Sequence, residues 1–237
     1  MGELAVSAVA LDFGGTLAIP GAVPRGRDVV AALERRLRWP SPAGLDEAIE
    51  AVRAEAKASY RSGVQTPWES ILGTAWGRLD VEVPDLTAVV DAMWEAVPDA
   101  VVDPRAAQAA RTLRCTGRAL VLACNTQRPI AYRRRTLATA GLADCFDALV
   151  LSSELGVAKP DPRFYAAVAD AARGEAGCPP EAILFVGDTL DKDVIGPRAF
   201  GMRAALVHAG PPPPGLPEGV PIIAHMAELP DLLERWP

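Results

Sequence analysis

The stretch from Val9 to Leu17 reads Val-Ala-Leu-Asp-Phe-Gly-Gly-Thr-Leu, an apolar run that stops on Asp12 and turns on two glycines and a threonine. A buried parallel strand that delivers one carboxylate to the end of a sheet has this form, and glycine lets the backbone approach a ligand closely. A second apolar run, Ala182 to Val186, ends in Gly187-Asp188-Thr189, with Asp193 shortly after. Two strand-end carboxylate clusters describe a site that holds a divalent cation and works on an anion. Each residue also has a plainer use. A strand-end aspartate often caps a turn, and Lys159, before Pro160, could be a solvated loop residue. The order of Asp12, Thr16, Lys159, Asp188 and Asp193 on successive elements is what argues for a common site.

The elements that must carry these residues alternate. The first strand is expected over 6–13, followed by a Pro/Gly-punctuated exit over 18–25. From about 26 to 98 the pattern is helical only. One helix there takes Asp46 as its N-cap, with Ile49, Val52, Ala56 and Tyr60 at helical spacing. Another begins at Thr66-Pro67-Trp68-Glu69, read as a capping box with proline at the first helical position. A third covers about 85–97. Beyond residue 104, helices alternate with strands at 118–123, 148–151, 182–187 and 204–207, with a last short strand at Ile222–Ile223 and a helix over 226–235. The fold class is therefore α/β, a doubly wound parallel sheet of Rossmann-like type interrupted after its first strand by an all-helical insert. The domain division expected is 1–17 with 100–237 for the α/β core and 18–99 for the insert.

Bulk properties narrow the function. The chain has 237 residues, long enough for a sizeable core, and a formal charge of −6, which argues against a nucleic-acid surface. No apolar run approaches the ~18 residues of a membrane span, and Cys115, Cys124, Cys145 and Cys178 lack metal-ligand spacing. The expectation is a cytoplasmic protein with free thiols, a monomer or homodimer, acting without nucleic acid or membrane.

The motif set resembles the haloacid dehalogenase superfamily. Asp12-Phe13-Gly14-Gly15-Thr16 is similar to its first motif, Ala119–Thr126 to its second strand, Lys159-Pro160-Asp161-Pro162 to its Lys-Pro loop, and Gly187-Asp188 to Asp193 to its acidic motif. The insert falls where one subfamily carries a helical cap. The resemblance implies a phosphatase-like hydrolase acting on a small-molecule phosphomonoester. Asp12 would be the nucleophile that forms an aspartyl-phosphate. Magnesium (Mg2+) would be held by Asp12, Asp188 and the Gly14 carbonyl. Lys159 would neutralise the phosphoryl oxygens and Asp12, and Asp193 would orient Lys159 or a metal-bound water. Thr16, Gly14, Gly15, Asn125 and Thr126 would help hold the phosphoryl group.

Two positions depart from that pattern. The family's phosphatases usually place a second aspartate, the general acid, two positions after the nucleophile; here stands Gly14. General-acid catalysis is typically worth about 10²–10⁴-fold. Three outcomes follow: the leaving group is good already, a proton comes from the insert or the substrate, or turnover is slow. Cys124 replaces the usual Ser or Thr, and a thiol is the weaker donor. In the insert, Arg53, Lys57 and Arg61 fall on one helix face, either a solvated face or a cationic wall for an anionic substrate. Lys57 also fits a Schiff-base role of the kind used by phosphonoacetaldehyde hydrolases. Trp39, Trp68, Trp76 and Trp94 are read as insert core before substrate pocket, and Arg128, after the second motif, as an exposed loop arginine before a phosphate contact. The alternatives carried forward are carbon–phosphorus or carbon–halogen hydrolysis and a weakly active phosphate-binding pseudo-phosphatase.

Overall fold

The computed structural model describes residues 5–61, 63–173 and 178–235. Its eight strands are β1 (Ala8–Leu11), β2 (Ala18–Ile19), β3 (Val101–Val102), β4 (Ala119–Cys124), β5 (Ala148–Leu151), β6 (Ile183–Gly187), β7 (Arg203–Val207) and β8 (Ile222–Ile223). Six form one parallel sheet in the order β5-β4-β1-β6-β7-β8. The chain starts at the centre, builds outward through β4 and β5, then returns to the other side of β1 with β6. In open sheets of this kind the crevice for ligands opens at the carboxyl ends where the order reverses. That places it at the tip of β1, between the tips of β4 and β6.

Four fully buried residues make up β1, and they divide between the faces. Val9 and Leu11 enter the cluster that also holds Ala106, Ala110 and Leu233. Ala8 and Ala10 face Phe164, Tyr165 and Val168. Their small side chains admit those aromatic rings close to the strand. A strand covered on both sides reads as a continuous apolar run, which is why β1 shows no alternation.

Contacts divide the chain into two compact units, one made of the residues to Pro20 and from Ala100 onward, the other of Gly21–Asp99. The second unit is helical: α1 (Gly26–Ala32), continued by a π-helical turn Leu33–Leu37, then α2 (Leu45–Arg61), α3 (Trp68–Leu79) and α4 (Leu86–Ala96). Trp68, Trp76, Met93, Ile49 and Leu45 fill its interior, and Trp68 meets Trp94 edge to face at 6.4 Å between centroids. The tryptophans are packed core, with Trp39 half-buried.

The helix starts differ from expectation by a residue. Pro67, not Thr66, occupies the N-cap of α3, so no side-chain cap bond is made there. Asp46 lies inside the first turn of α2, where its charge faces the positive helix end. The α1 helix was not expected as a separate element. Asp28 supports it, accepting the Arg25 backbone N–H at 2.7 Å.

The first unit's helices are α5 (Pro104–Arg114), α6 (Ile130–Thr139), α7 (Ser152–Leu155), α8 (Pro162–Arg173), α9 (Gly196–Ala199) and α10 (Leu229–Arg235). Asp103 caps α5 by accepting the amides of Arg105 and Ala106. Between β6 and β7 the chain forms a π-helical turn, Leu190–Ile195, running into α9. The two-residue strands β2 and β3, also unexpected, pair antiparallel with Ala18 opposite Val102 and Ile19 opposite Val101. Two residues carry too little period to be read from sequence; only the pairing defines them.

Candidate active site

Asp12 leaves the tip of β1 one residue past the ladder, its backbone amide still held by the Val186 carbonyl at 2.8 Å. The chain then turns tightly. The Gly15 amide donates to the Ala18 carbonyl at 2.8 Å, and Leu17 and Ala18 both donate to the carbonyl of Phe13. Gly15 adopts φ +84°, the left-handed region that favours glycine. A Cβ there would collide with the Asp188 carboxylate. Glycine at 15 therefore lets the first loop and the tip of β6 press together.

Gly187, the last residue of β6, does the same from the other side. Its missing side chain is the space into which the Asp193 carboxyl folds. Asp193 Oδ2 accepts the Thr189 amide at 2.9 Å, and the Asp193 amide donates to the Thr189 carbonyl at 2.8 Å. The π-helical turn thus brings a buried carboxylate back to the strand end.

Lys159 completes the arrangement. Its ammonium, 2% exposed as a residue, donates to Asp12 Oδ1 at 2.7 Å, to Asp193 Oδ1 at 2.7 Å and to the Ala123 carbonyl at 3.0 Å. All three hydrogens of the ammonium are satisfied. Burial opposes a charge there, but Asp12 and Asp193 outweigh it and hold the ammonium above the ordinary lysine value. For Asp12, burial dominates over the pull of Lys159 and pushes the carboxyl up to about 6. Asp188 is also raised, by burial first and by the charge of Asp193 second.

Carboxylate oxygens of Asp12, Asp188 and Asp193 lie within 4.8 Å of one another. One ammonium against three carboxylates leaves an excess of two negative charges in a largely buried place. Such an excess is costly unless a cation joins it. Hard oxygen donors at this spacing suit magnesium, which bonds oxygen at about 2 Å. The Thr16 hydroxyl in the same loop is buried and makes no hydrogen bond, so a polar donor stands ready beside the carboxylates.

The remaining expected residues divide. Asn125 gives both ends of its amide to the Lys159 backbone: Oδ1 accepts the Lys159 N–H at 2.8 Å and Nδ2 donates to its carbonyl at 3.0 Å. Its side chain positions the lysine loop. Thr126 is pinned by Ser152, whose hydroxyl accepts the Thr126 amide at 2.8 Å and donates to its carbonyl at 2.9 Å. Cys124 lies buried, its thiol pushed up to about 12 by burial first and then by Asp12.

In the helical unit, Arg53 is engaged by Glu50 at 2.7 Å and stands 5.5 Å from the Trp68 ring centre. Lys57 is exposed, and the Arg61 side chain lies outside the described residues.

Ser152, the Ala123 carbonyl and Arg133 are participants that sequence reasoning missed. Arg133 is buried, its guanidinium carbon 3.5 Å from the Phe13 ring centre, so a cation backs the residue next to Asp12. A serine directly after an apolar strand was the available signal for Ser152. Nothing in the local pattern marks Arg133 among the three consecutive arginines of α6.

Comparisons with known proteins find related sequences and a shared fold. A family model described as haloacid dehalogenase-like hydrolase matches residues 6–201. A phosphoserine phosphatase of Thermus thermophilus is 30% identical over 222 residues, which is 79% of this chain and 84% of that protein. A phosphoglycolate phosphatase of Cereibacter sphaeroides is 37% identical over 149 residues, 61% of this chain and 64% of that protein. Among solved structures, a 2-haloacid dehalogenase from Pseudomonas syringae superposes at a TM-score of 0.69 and 20% identity, covering 98% of this chain and 100% of that one. That likeness is one of fold.

Proposed function

The chain belongs to the haloacid dehalogenase-like hydrolases, and on that premise we propose that it removes the phosphoryl group from a small phosphorylated metabolite through a covalent adduct on Asp12. The observation that carries this reading is the triad of Asp12, Lys159 and Asp193 at the tip of β1, joined by two 2.7 Å ion pairs.

A buried carboxylate paired with an ammonium is suited to attack an anionic target. Repulsion between the two is what Lys159 offsets. Asp12 Oδ1 is held by Lys159, and a carboxylate has a second oxygen to present to phosphorus. Attack forms a bond from Asp12 to phosphorus and splits one difficult hydrolysis into two easier displacements. Asp193 fixes the lysine from behind, since it has its own anchor in the Thr189 amide. Asn125 sets the backbone of Lys159 from the β4 side.

Asp12, Asp188 and the Gly14 carbonyl would hold magnesium, with Asp193 near enough to share a bound water. Bound there, the ion would supply charge neutralisation for the transferring phosphoryl group. Under this reading the Gly21–Asp99 unit is a cap that selects the substrate, with Lys57 among its exposed cations. The phosphoserine and phosphoglycolate phosphatase relatives support a small phosphorylated substrate. We take the protein to work in the cytoplasm.

The test is turnover of p-nitrophenyl phosphate with magnesium chloride, and acid-quench trapping of a phosphoryl group on the chain. Asp12→Asn should abolish both, a loss of more than about 10³-fold. A variant that keeps its turnover would remove Asp12 from the mechanism.

A further inference from the structure

We propose that the leaving group departs without receiving a proton, and that the substrate class is therefore a carboxylic–phosphoric mixed anhydride, an acyl phosphate. This rests on Asp12 as the phosphoryl acceptor and sharpens that reading.

The argument is an inventory of proton donors around the nucleophile. Lys159 spends its three hydrogens on Asp12, Asp193 and the Ala123 carbonyl. Asp193 accepts from Lys159 through one oxygen and from the Thr189 amide through the other. The Cys124 thiol points to the Asn125 carbonyl at 3.5 Å, and the Asn125 amide is engaged at both ends by the Lys159 backbone. Asp188 sits with the other carboxylates where a cation belongs. At Gly14, two residues beyond the nucleophile, a side chain has room, because a Cβ would meet only the ring of Pro20 at 3.4 Å. Its backbone is not in the left-handed region, so glycine is not required there for conformation. The position is open to an acid and carries none. The Thr16 hydroxyl is buried and unbonded, but an alcohol is about as weak an acid as water, and the buried guanidiniums of Arg128 and Arg133 do not give up protons. Among the described residues of the α/β unit, no acid is thus placed to protonate a departing oxygen.

Leaving-group chemistry then decides the substrate. The adduct on Asp12 is itself a mixed anhydride. Transfer from an acyl phosphate breaks one carboxyl–phosphate bond and makes another of the same kind. The Asp12 oxygen bonds to phosphorus, the bond to the leaving carboxylate breaks, and the electron pair stays with that carboxylate. No proton moves, because a carboxylic acid has a pKa of about 4. An alkyl ester would have to release an alkoxide, whose conjugate acid resembles water at about 16. In the second step, water attacks the same phosphorus and the bond to Asp12 breaks, returning the pair to its carboxylate. The water proton passes to solvent and inorganic phosphate leaves.

The experiment compares the full chain, with magnesium chloride, on acetyl phosphate, p-nitrophenyl phosphate, phenyl phosphate and O-phosphoserine at saturating donor. The rate of Asp12 phosphorylation should fall as the leaving group becomes more basic, by about 10²–10⁴-fold from acetyl phosphate to phosphoserine. The two aryl esters, alike in shape, should differ by at least about tenfold. Gly14→Asp should narrow both gaps by raising the slower donors more. Phosphoserine or phenyl phosphate reacting within a few-fold of its faster counterpart in the unmodified chain overturns the proposal, whether or not the variant folds. If no donor labels Asp12 and none is turned over, the phosphoryl-transfer reading fails and takes this one with it. Labelling by esters alone refutes only the substrate class.

Discussion

Asp12 is under two opposed influences, and the balance is measurable without any substrate. Burial raises its carboxyl from the ordinary 3.8 to about 6 despite Lys159. A group raised on folding binds protons more tightly in the folded chain, so between about pH 4 and 6 the folded state holds the extra proton. Stability therefore falls as pH rises through that window. Asp188 is shifted the same way. Lys159 is raised as well, but a raised lysine contributes fully below its unfolded value near 10 and is lost only above it, outside this window. The metal-free Asp12→Asn protein should accordingly be more stable than the unmodified one at pH 7, on the order of 1–3 kcal/mol, with the difference vanishing near pH 4. Urea unfolding at the two pH values decides it. Lower stability of the variant at pH 7 would mean that the ion pair with Lys159 outweighs burial.

At the scale of elements, the site depends on how tightly two loops are pressed together and on what aims the lysine. Gly15 is the contact between the β1 loop and the tip of β6. Gly15→Ala adds both the cost of a positive φ and a collision with the Asp188 carboxylate. We expect about 1–2 kcal/mol of destabilisation and a rise of at least about tenfold in the magnesium needed for half-maximal activity. A metal titration alongside urea unfolding separates the two effects. Asn125→Ala removes two hydrogen bonds to the Lys159 backbone, each worth about 1 kcal/mol net. Because those bonds aim the ammonium, kcat should fall with little change in KM. A change confined to KM would show instead that Asn125 contacts substrate.

For the whole molecule, the excess of negative charge at the sheet's centre means that a cation bound there would be coupled to folding. A cation that binds only the folded chain stabilises it by about 2.7 kcal/mol at a hundredfold excess over its dissociation constant. For a chain of this length that is roughly 5–10 °C in Tm. Magnesium should produce such a rise by calorimetry, and Asp188→Asn should remove most of it. An equal rise in the variant would place the ion elsewhere. The parallel sheet and the strand-end positions of Asp12 and Asp188 were legible in the linear chain, because each carboxylate follows an apolar run and each run is a buried strand. Strand-end position is a local property, set by where burial stops. What joins those positions is not local. Asp12 and Lys159 are 147 residues apart, and only the fold brings the loop between α7 and α8 to the tip of β1. The same holds for Ser152 beneath Thr126, for the Ala123 carbonyl on the ammonium, and for Arg133 over Phe13. Asn125 shows the limit most clearly: its position after β4 was readable, but whether its amide would face a ligand or the lysine loop was set by packing. The linear chain determined which groups stand at strand ends. The tertiary structure decided which of them share a proton, a charge or a partner, since those depend on distances of a few ångströms between segments that no spacing along the chain encodes.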